Sequence, residues 1–142
     1  MKPISSALAA LFACVIALSH TACTETDHDA HSHHDAMTLS LDEGKPWQTD
    51  APLRAGMDEL HAAFAENLPA IHEDRMSAAD YQALGEKTRQ EVGTIVAQCK
   101  LTPEADAMLH LIIAELLSGA DIMTGKAEGV PREGAHKSVM AL

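Results

Sequence analysis

Apolar residues recur every three to four positions along three long stretches of this chain, a spacing that predicts three amphipathic helices. The first stripe consists of Leu53, Met57, Leu60, Phe64, Leu68 and Ile71. The second consists of Tyr81, Leu84, Thr88, Val92, Ile95 and Cys99. The third is the broadest and consists of Ala105, Met108, Leu109, Ile112, Ile113, Leu116, Leu117, Ala120 and Met123. We expect the third helix to be the most buried, because its apolar face is the widest.

Helix-start signals precede each stripe. Asp50 is placed to cap the first helix, with Pro52 in its first turn, and Pro69 should kink or stop that helix. Ser77–Asp80 resembles a capping box, and Thr102–Glu104 combines a cap, a proline and an acidic first turn.

A short fourth helix is predicted at the end of the chain. Gly125 and Gly129 bracket a loop, and residues 131–142 restart a helical pattern that is short or clipped beside its predecessors. The predicted fold class is therefore all-α, an up-and-down four-helix bundle over residues 41–142. Such a short fourth helix leaves part of helix three uncovered, and a homodimer is one way to cover it.

The N-terminus has the pattern of an export signal. Residues 1–22 carry one positive charge at Lys2, an apolar run over Ile4–Leu18 and small residues before Cys23. The apolar run is too short to span a bilayer comfortably. We expect a periplasmic protein, with Cys23 as a lipidation site that would anchor it to the membrane.

An alternative remains open, because His20 stands where a lipoprotein signal usually has an aliphatic residue. Cleavage after Ser19 would then give a soluble periplasmic protein. Cys14 would leave with the signal, and a lipidated Cys23 would leave Cys99 as a single thiol, either a core residue or a metal ligand. If Cys23 is not lipidated, a disulfide between Cys23 and Cys99 is the alternative.

Composition narrows the function classes. The formal net charge of the 142-residue chain is −11, which argues against a nucleic-acid partner because such proteins need a basic footprint. Aromatic residues are scarce, and alternating strand patterns are nearly absent. An acidic balance is compatible with attracting metal cations.

A histidine tract lies in residues 23–40, a polar linker expected to be disordered. Its eight residues from 28 to 35 contain two aspartates and the four histidines His28, His31, His33 and His34. Histidine titrates near ~6.5, so these rings are mostly neutral at pH 7 and able to bind zinc, copper or nickel. The alternative is a solvated tether with no specific ligand.

A second metal site is predicted inside the bundle. Counting along antiparallel helices places Met57, His61, His110 and Met140 at one level, where they would converge on one end of the core. A set of methionine and histidine ligands suits copper or haem iron. The alternative is that the methionines fill the core and the histidines lie beside it.

Two further histidines fall towards the opposite end of the bundle. His72 lies near the turn between helices one and two, and His136 lies near the start of helix four. They could pair there, although histidines at helix ends often only satisfy carbonyls or face solvent.

Several segments are similar to a family of small exported bacterial four-helix proteins, which are largely uncharacterised and often labelled transcription regulators. The segments are Leu41–Trp47, Pro52–Met57, Leu68–His72, Ile95–Leu101, Pro103–Ala107, Leu109–His110 and Gly119–Ala120. The resemblance covers roughly residues 41–142 and implies an exported helical bundle.

A methionine early in helix one also resembles, more distantly, the soluble b-type cytochromes with four helices. The resemblance implies a haem between Met57 and a ligand on the last helix, where Met140 is in reach and His136 lies one turn earlier. The Cys-x-x-Cys-His motif of covalent haem attachment is absent from the sequence.

Enzymatic motifs are missing from the sequence. It contains no nucleophile motif, phosphate-binding glycine loop or His-Glu-x-x-His, and Asp58–His61 is only an unpaired variant of a di-iron motif. We therefore expect a non-enzymatic, exported transition-metal-binding protein, with copper first and zinc second. It would buffer metal or confer resistance and pass metal to an efflux or other envelope protein. The alternatives are a haem-binding electron-transfer bundle and an interaction module without metal.

Overall fold

The computed structural model describes residues 38–142. This part of the chain forms four helices, α1 (Ala51–His72), α2 (Ala78–Gln98), α3 (Pro103–Met123) and α4 (Pro131–Ala141). The described part contains no strand, and the prediction of an all-α bundle is confirmed.

The predicted helix starts are confirmed atom by atom. The Asp50 carboxylate accepts the Leu53 backbone N–H at 2.9 Å, and the Thr102 hydroxyl accepts that of Ala105 at 3.3 Å. Ser77 and Asp80 form a reciprocal capping box at the start of α2. Each cap satisfies backbone donors that the first turn of a helix leaves unpaired.

Pro69 does not stop α1, which continues to His72. The proline removes the backbone donor to the carbonyl four residues before it, and the three residues that follow it stay helical. Cys99 also differs from expectation, since it is the C-cap of α2 and lies just beyond its last helical residue.

The helices pack in sequence order around a two-part core. Each helix contacts the next one along the chain, whereas α1 and α3 make no close backbone contact and so lie diagonally opposite. The upper core cluster, near the α1–α2 turn, consists of Ala63, Phe64, Ile71, Tyr81, Leu84, Ala120, Met123 and Ala135. The lower core cluster consists of Leu53, Leu60, Val92, Ile95, Leu109, Ile113 and Leu116.

The fourth helix covers only part of the bundle. With 11 residues it is half the length of α1, which has 22, so it spans ~16 Å beside a partner of ~33 Å. The segment preceding α1 lies against the other helices: the Ser40 N–H approaches Met108 Sδ at 3.4 Å, and Trp47 Nε1 donates to the Ser40 carbonyl at 2.6 Å. Packing therefore begins before residue 41, inside the segment predicted to be a disordered linker.

An apolar cavity of about 320 Å³ lies under this segment. Trp47, Leu53, Met108 and Ile112 are among its lining residues. Trp47 packs on the domain here, and its side chain is partly buried. Within residues 38–142, no helix is both long and apolar enough to cross a membrane.

Candidate functional site

The histidine tract and the lipidation residue lie outside the described residues. His28, His31, His33 and His34, with Cys23 before them, precede Thr38, the first residue that the structure describes. Only two residues separate Asp35, the last residue of the tract, from Thr38. The tract is therefore joined closely in sequence to the folded domain.

The bundle residues of the predicted interior site occupy different surroundings. Met57 is partly buried and packs against the lower core cluster. His61 is exposed and borders a small cavity between α1 and α4 that Phe64 and Val139 also line. His110 is exposed, and its Nδ1 lies 2.8 Å from the Asp106 carbonyl oxygen on its own helix.

The prediction that these side chains converge in the core is wrong. Both histidines are on the surface, and Met140 is 86% exposed. Each histidine follows an inward-pointing leucine, Leu60 or Leu109, and one residue of helix rotates a side chain by about 100° away from its neighbour. Since α1 and α3 also lie diagonally, His61 and His110 have no shared face on which to meet.

The structure does bring His72 and His136 together. Their rings stack with centroids 5.7 Å apart and planes 12° from parallel. His72 is exposed at the end of α1, and His136 is half-buried on α4. Neither ring forms a hydrogen bond or ion pair with another residue of the part that the structure describes.

Arg132 holds the two backbones beneath this histidine pair. Its Nε donates to the Ile71 carbonyl at 2.9 Å, and its Nη2 donates to the His72 carbonyl at 2.8 Å. These carbonyls belong to the last turn of α1, whose acceptors have no partner within the helix. Arg132 therefore fastens the start of α4 to the end of α1.

Tyr81 lies in the same region of the fold, in the upper core cluster. Its side chain is 5% exposed, and its hydroxyl has no hydrogen-bond partner among the described residues. Burial raises the pKa of this phenol, the negative charge of Asp74 raises it further, and the positive charge of Arg132 acts in the opposite direction. Sequence reasoning missed both Tyr81 and Arg132 here, because no spacing rule joins residues 50 or 60 positions apart.

Cys99 is not placed as a ready metal ligand. Burial raises the pKa of its thiol, and the carboxylates of Asp50 and Asp106 raise it further. A metal binds the thiolate form, which this environment disfavours. Over residues 38–142, no three His, Cys, Asp or Glu side chains come together in a group that could hold a metal ion.

The geometry also separates the haem ligands that the cytochrome resemblance implies. Met57 and His72 are fifteen residues apart on α1, or ~22 Å along its axis, and His136 stacks on His72. Met57 and His136 are therefore too far apart to bind the two faces of one haem.

Comparison with protein families, with curated proteins and with solved structures finds no match to this chain. The resemblance to small exported bundle proteins stays a prediction.

Proposed function

We propose that the protein is an exported, non-enzymatic transition-metal-binding protein, with copper as the first candidate ion and zinc as the second. One observation carries the proposal, namely the four histidines and two aspartates within residues 28–35. Neutral imidazoles are good ligands for both ions, and carboxylates add oxygen donors.

The composition of the tract favours reversible binding of metal ions over tight storage of them. Four imidazoles and two carboxylates within eight residues offer several combinations of ligands, so a bound ion can exchange between them. The net charge of −11 adds a long-range attraction for cations. These properties suit a periplasmic buffer or resistance protein that passes metal to an efflux or other envelope partner.

Among the described residues, the side chains that were predicted to form an interior metal site do not come together. His61 and His110 are exposed and separate, and Met57 packs in the core. The domain would then act as a compact carrier for a tract that lies close to it in sequence.

The test compares the metal content of the mature protein with that of a variant in which His28, His31, His33 and His34 are changed to alanine. We expect copper or zinc in the parent and a lower metal content in the variant, because the ions bound by the tract are lost. The matched control changes His61 and His110 to alanine, which removes exposed imidazoles of the bundle and should leave the bound metal unchanged.

Three results would contradict the proposal. Metal that survives the tract substitutions but not the control substitutions would move the site to the bundle. A metal-free parent would favour an interaction module without metal. A Soret absorption band in the purified protein would favour the haem alternative.

A further inference from the structure

We propose that the stacked pair of His72 and His136 is a second, structured transition-metal site, in which one ring nitrogen of each imidazole binds the same zinc or copper ion. This site belongs to the folded domain and does not depend on the histidine tract. It joins the end of α1 to the first turns of α4.

The spacing of the two rings fits a shared ion. Zinc–nitrogen bonds are about 2.0–2.1 Å long, which places the centres of two imidazoles on one ion roughly 5–6 Å apart. The observed centroid distance is 5.7 Å. The rings stand nearly parallel, at 12°, so a shared ion requires the exposed His72 ring to turn about its side-chain bonds until its nitrogen faces that of His136.

The ring nitrogens are available for binding. Within residues 38–142 neither ring has a hydrogen-bond partner, whereas His110 holds the carbonyl of Asp106 with its Nδ1 at 2.8 Å. Binding at His110 would break that contact, while binding at the pair breaks none. Catalytic zinc sites with three protein ligands leave one of four positions to water, and two imidazoles would here leave two.

The backbone that carries both rings is fixed in advance. Arg132 donates two hydrogen bonds to the last turn of α1 from a position four residues before His136. Holding ligands in place before binding reduces the entropy lost when the ion arrives. The guanidinium is positive, and its Nε and Nη2 are turned towards these two carbonyls.

Ion binding here would stabilise the fold as well as occupy a site. The ligands come from helices that are 64 residues apart in sequence, so the unfolded chain does not present them together. A ligand that binds only the folded state raises stability with its concentration. The short α4 would gain most, because it packs chiefly on α3 and is joined to α1 by few residues.

The experiment uses the full mature chain with the four tract histidines changed to alanine, so that only the bundle can bind. Zinc chloride is titrated by calorimetry, and the melting temperature is measured with and without zinc. We expect one equivalent of zinc to bind and to raise the melting temperature. Adding His72→Ala or His136→Ala should weaken binding by at least about tenfold, since even the outer partners of a metal ligand are worth that much.

His110→Ala and His61→Ala in the same background are the controls, and both should bind zinc as their parent does. If His136→Ala disturbs the fold because its ring is half-buried, His72→Gln provides the same test from an exposed position. Absence of zinc binding in the tract-free background overturns the proposal, and so does binding that survives loss of either paired histidine. Whether the histidine tract binds metal is tested separately, by comparing the metal content of the parent with that of the tract variant.

Discussion

Asp50 shows how one side chain joins a local signal to the tertiary structure. Its carboxylate caps α1 through the Leu53 N–H and also accepts the Lys100 N–H at 2.5 Å, from the turn between α2 and α3. The Lys100 N–H makes the largest contribution to lowering the pKa of this carboxyl, and the Leu53 N–H makes the next. The cap is visible in the sequence, whereas the bond to a residue 50 positions away is not.

Asp50 should therefore contribute stability that acid removes. Its folded pKa lies below the ordinary value of 3.8, so the contribution is complete above that value and is lost as the pH falls towards the folded pKa. Asp50→Asn should lower the urea midpoint at neutral pH, and the difference from the parent should narrow below pH 3.8.

The control for this prediction is Asp58→Asn, an exposed carboxylate on the same helix. It should change the midpoint little at any pH. If the difference in urea midpoint between Asp50→Asn and the parent stays constant across the acid range, the negative charge of Asp50 does not contribute to stability, and the prediction is wrong.

At the scale of elements, the contact between α3 and α4 depends on small residues. A Cβ added at Gly119 would collide with the Ser138 hydroxyl and lie 2.5 Å from the Gly134 carbonyl oxygen. Both atoms belong to α4, and Ser138 is fully buried. The two helices can approach closely at this point because neither carries a large side chain there.

Gly119→Ala should destabilise the protein by about 1–3 kcal/mol, because overpacking forces the helices apart. The matched control is Gly93→Ala, an exposed glycine within α2 at which an added Cβ meets nothing within 4 Å. That change should stabilise by about 0.5–1 kcal/mol, the usual gain of alanine over glycine in a helix. Chemical unfolding of both variants measures the contrast, and equal effects would contradict it.

At the scale of the whole molecule, the chain combines an export pattern, a histidine tract and a helical bundle. The tract is a polar stretch of sequence, whereas the bundle has an apolar core, so the two would present metal ligands in different ways. The tract offers six candidate ligands within eight residues, while the bundle holds two imidazole rings with their centroids 5.7 Å apart. In the two proposals made above, the tract would bind ions through its many candidate ligands, and the histidine pair would bind one ion between two rings.

The predicted anchor can be tested through Cys23. If this residue is lipidated, Cys23→Ser should move the protein from the membrane fraction to the soluble periplasm, because the acyl chains supply the membrane affinity. Cys99→Ser removes the thiol at the end of α2 and should leave the distribution unchanged. A soluble parent whose mature chain begins at His20 would establish cleavage after Ser19 instead.

Helix positions followed from the sequence because their causes are local. The stripes of α1, α2 and α3 repeat within a few turns, and the caps at Asp50, Ser77 and Thr102 act over three residues. Of the two effects predicted for Pro69, a stop does not occur there, since α1 continues to His72. The outward position of His61 could have been predicted from the sequence, because His61 is next to the apolar stripe of α1 but is not part of it.

The sequence by itself determined the four helices, the caps of the first three and the set of candidate ligands in the histidine tract, because each depends on residues close together in the chain. The tertiary structure decided which histidines meet. His61 and His110 face solvent on diagonal helices, while the short α4, fastened by Arg132, brings His136 onto His72. That choice depends on helix length and on which helices adjoin, and a periodic pattern contains neither.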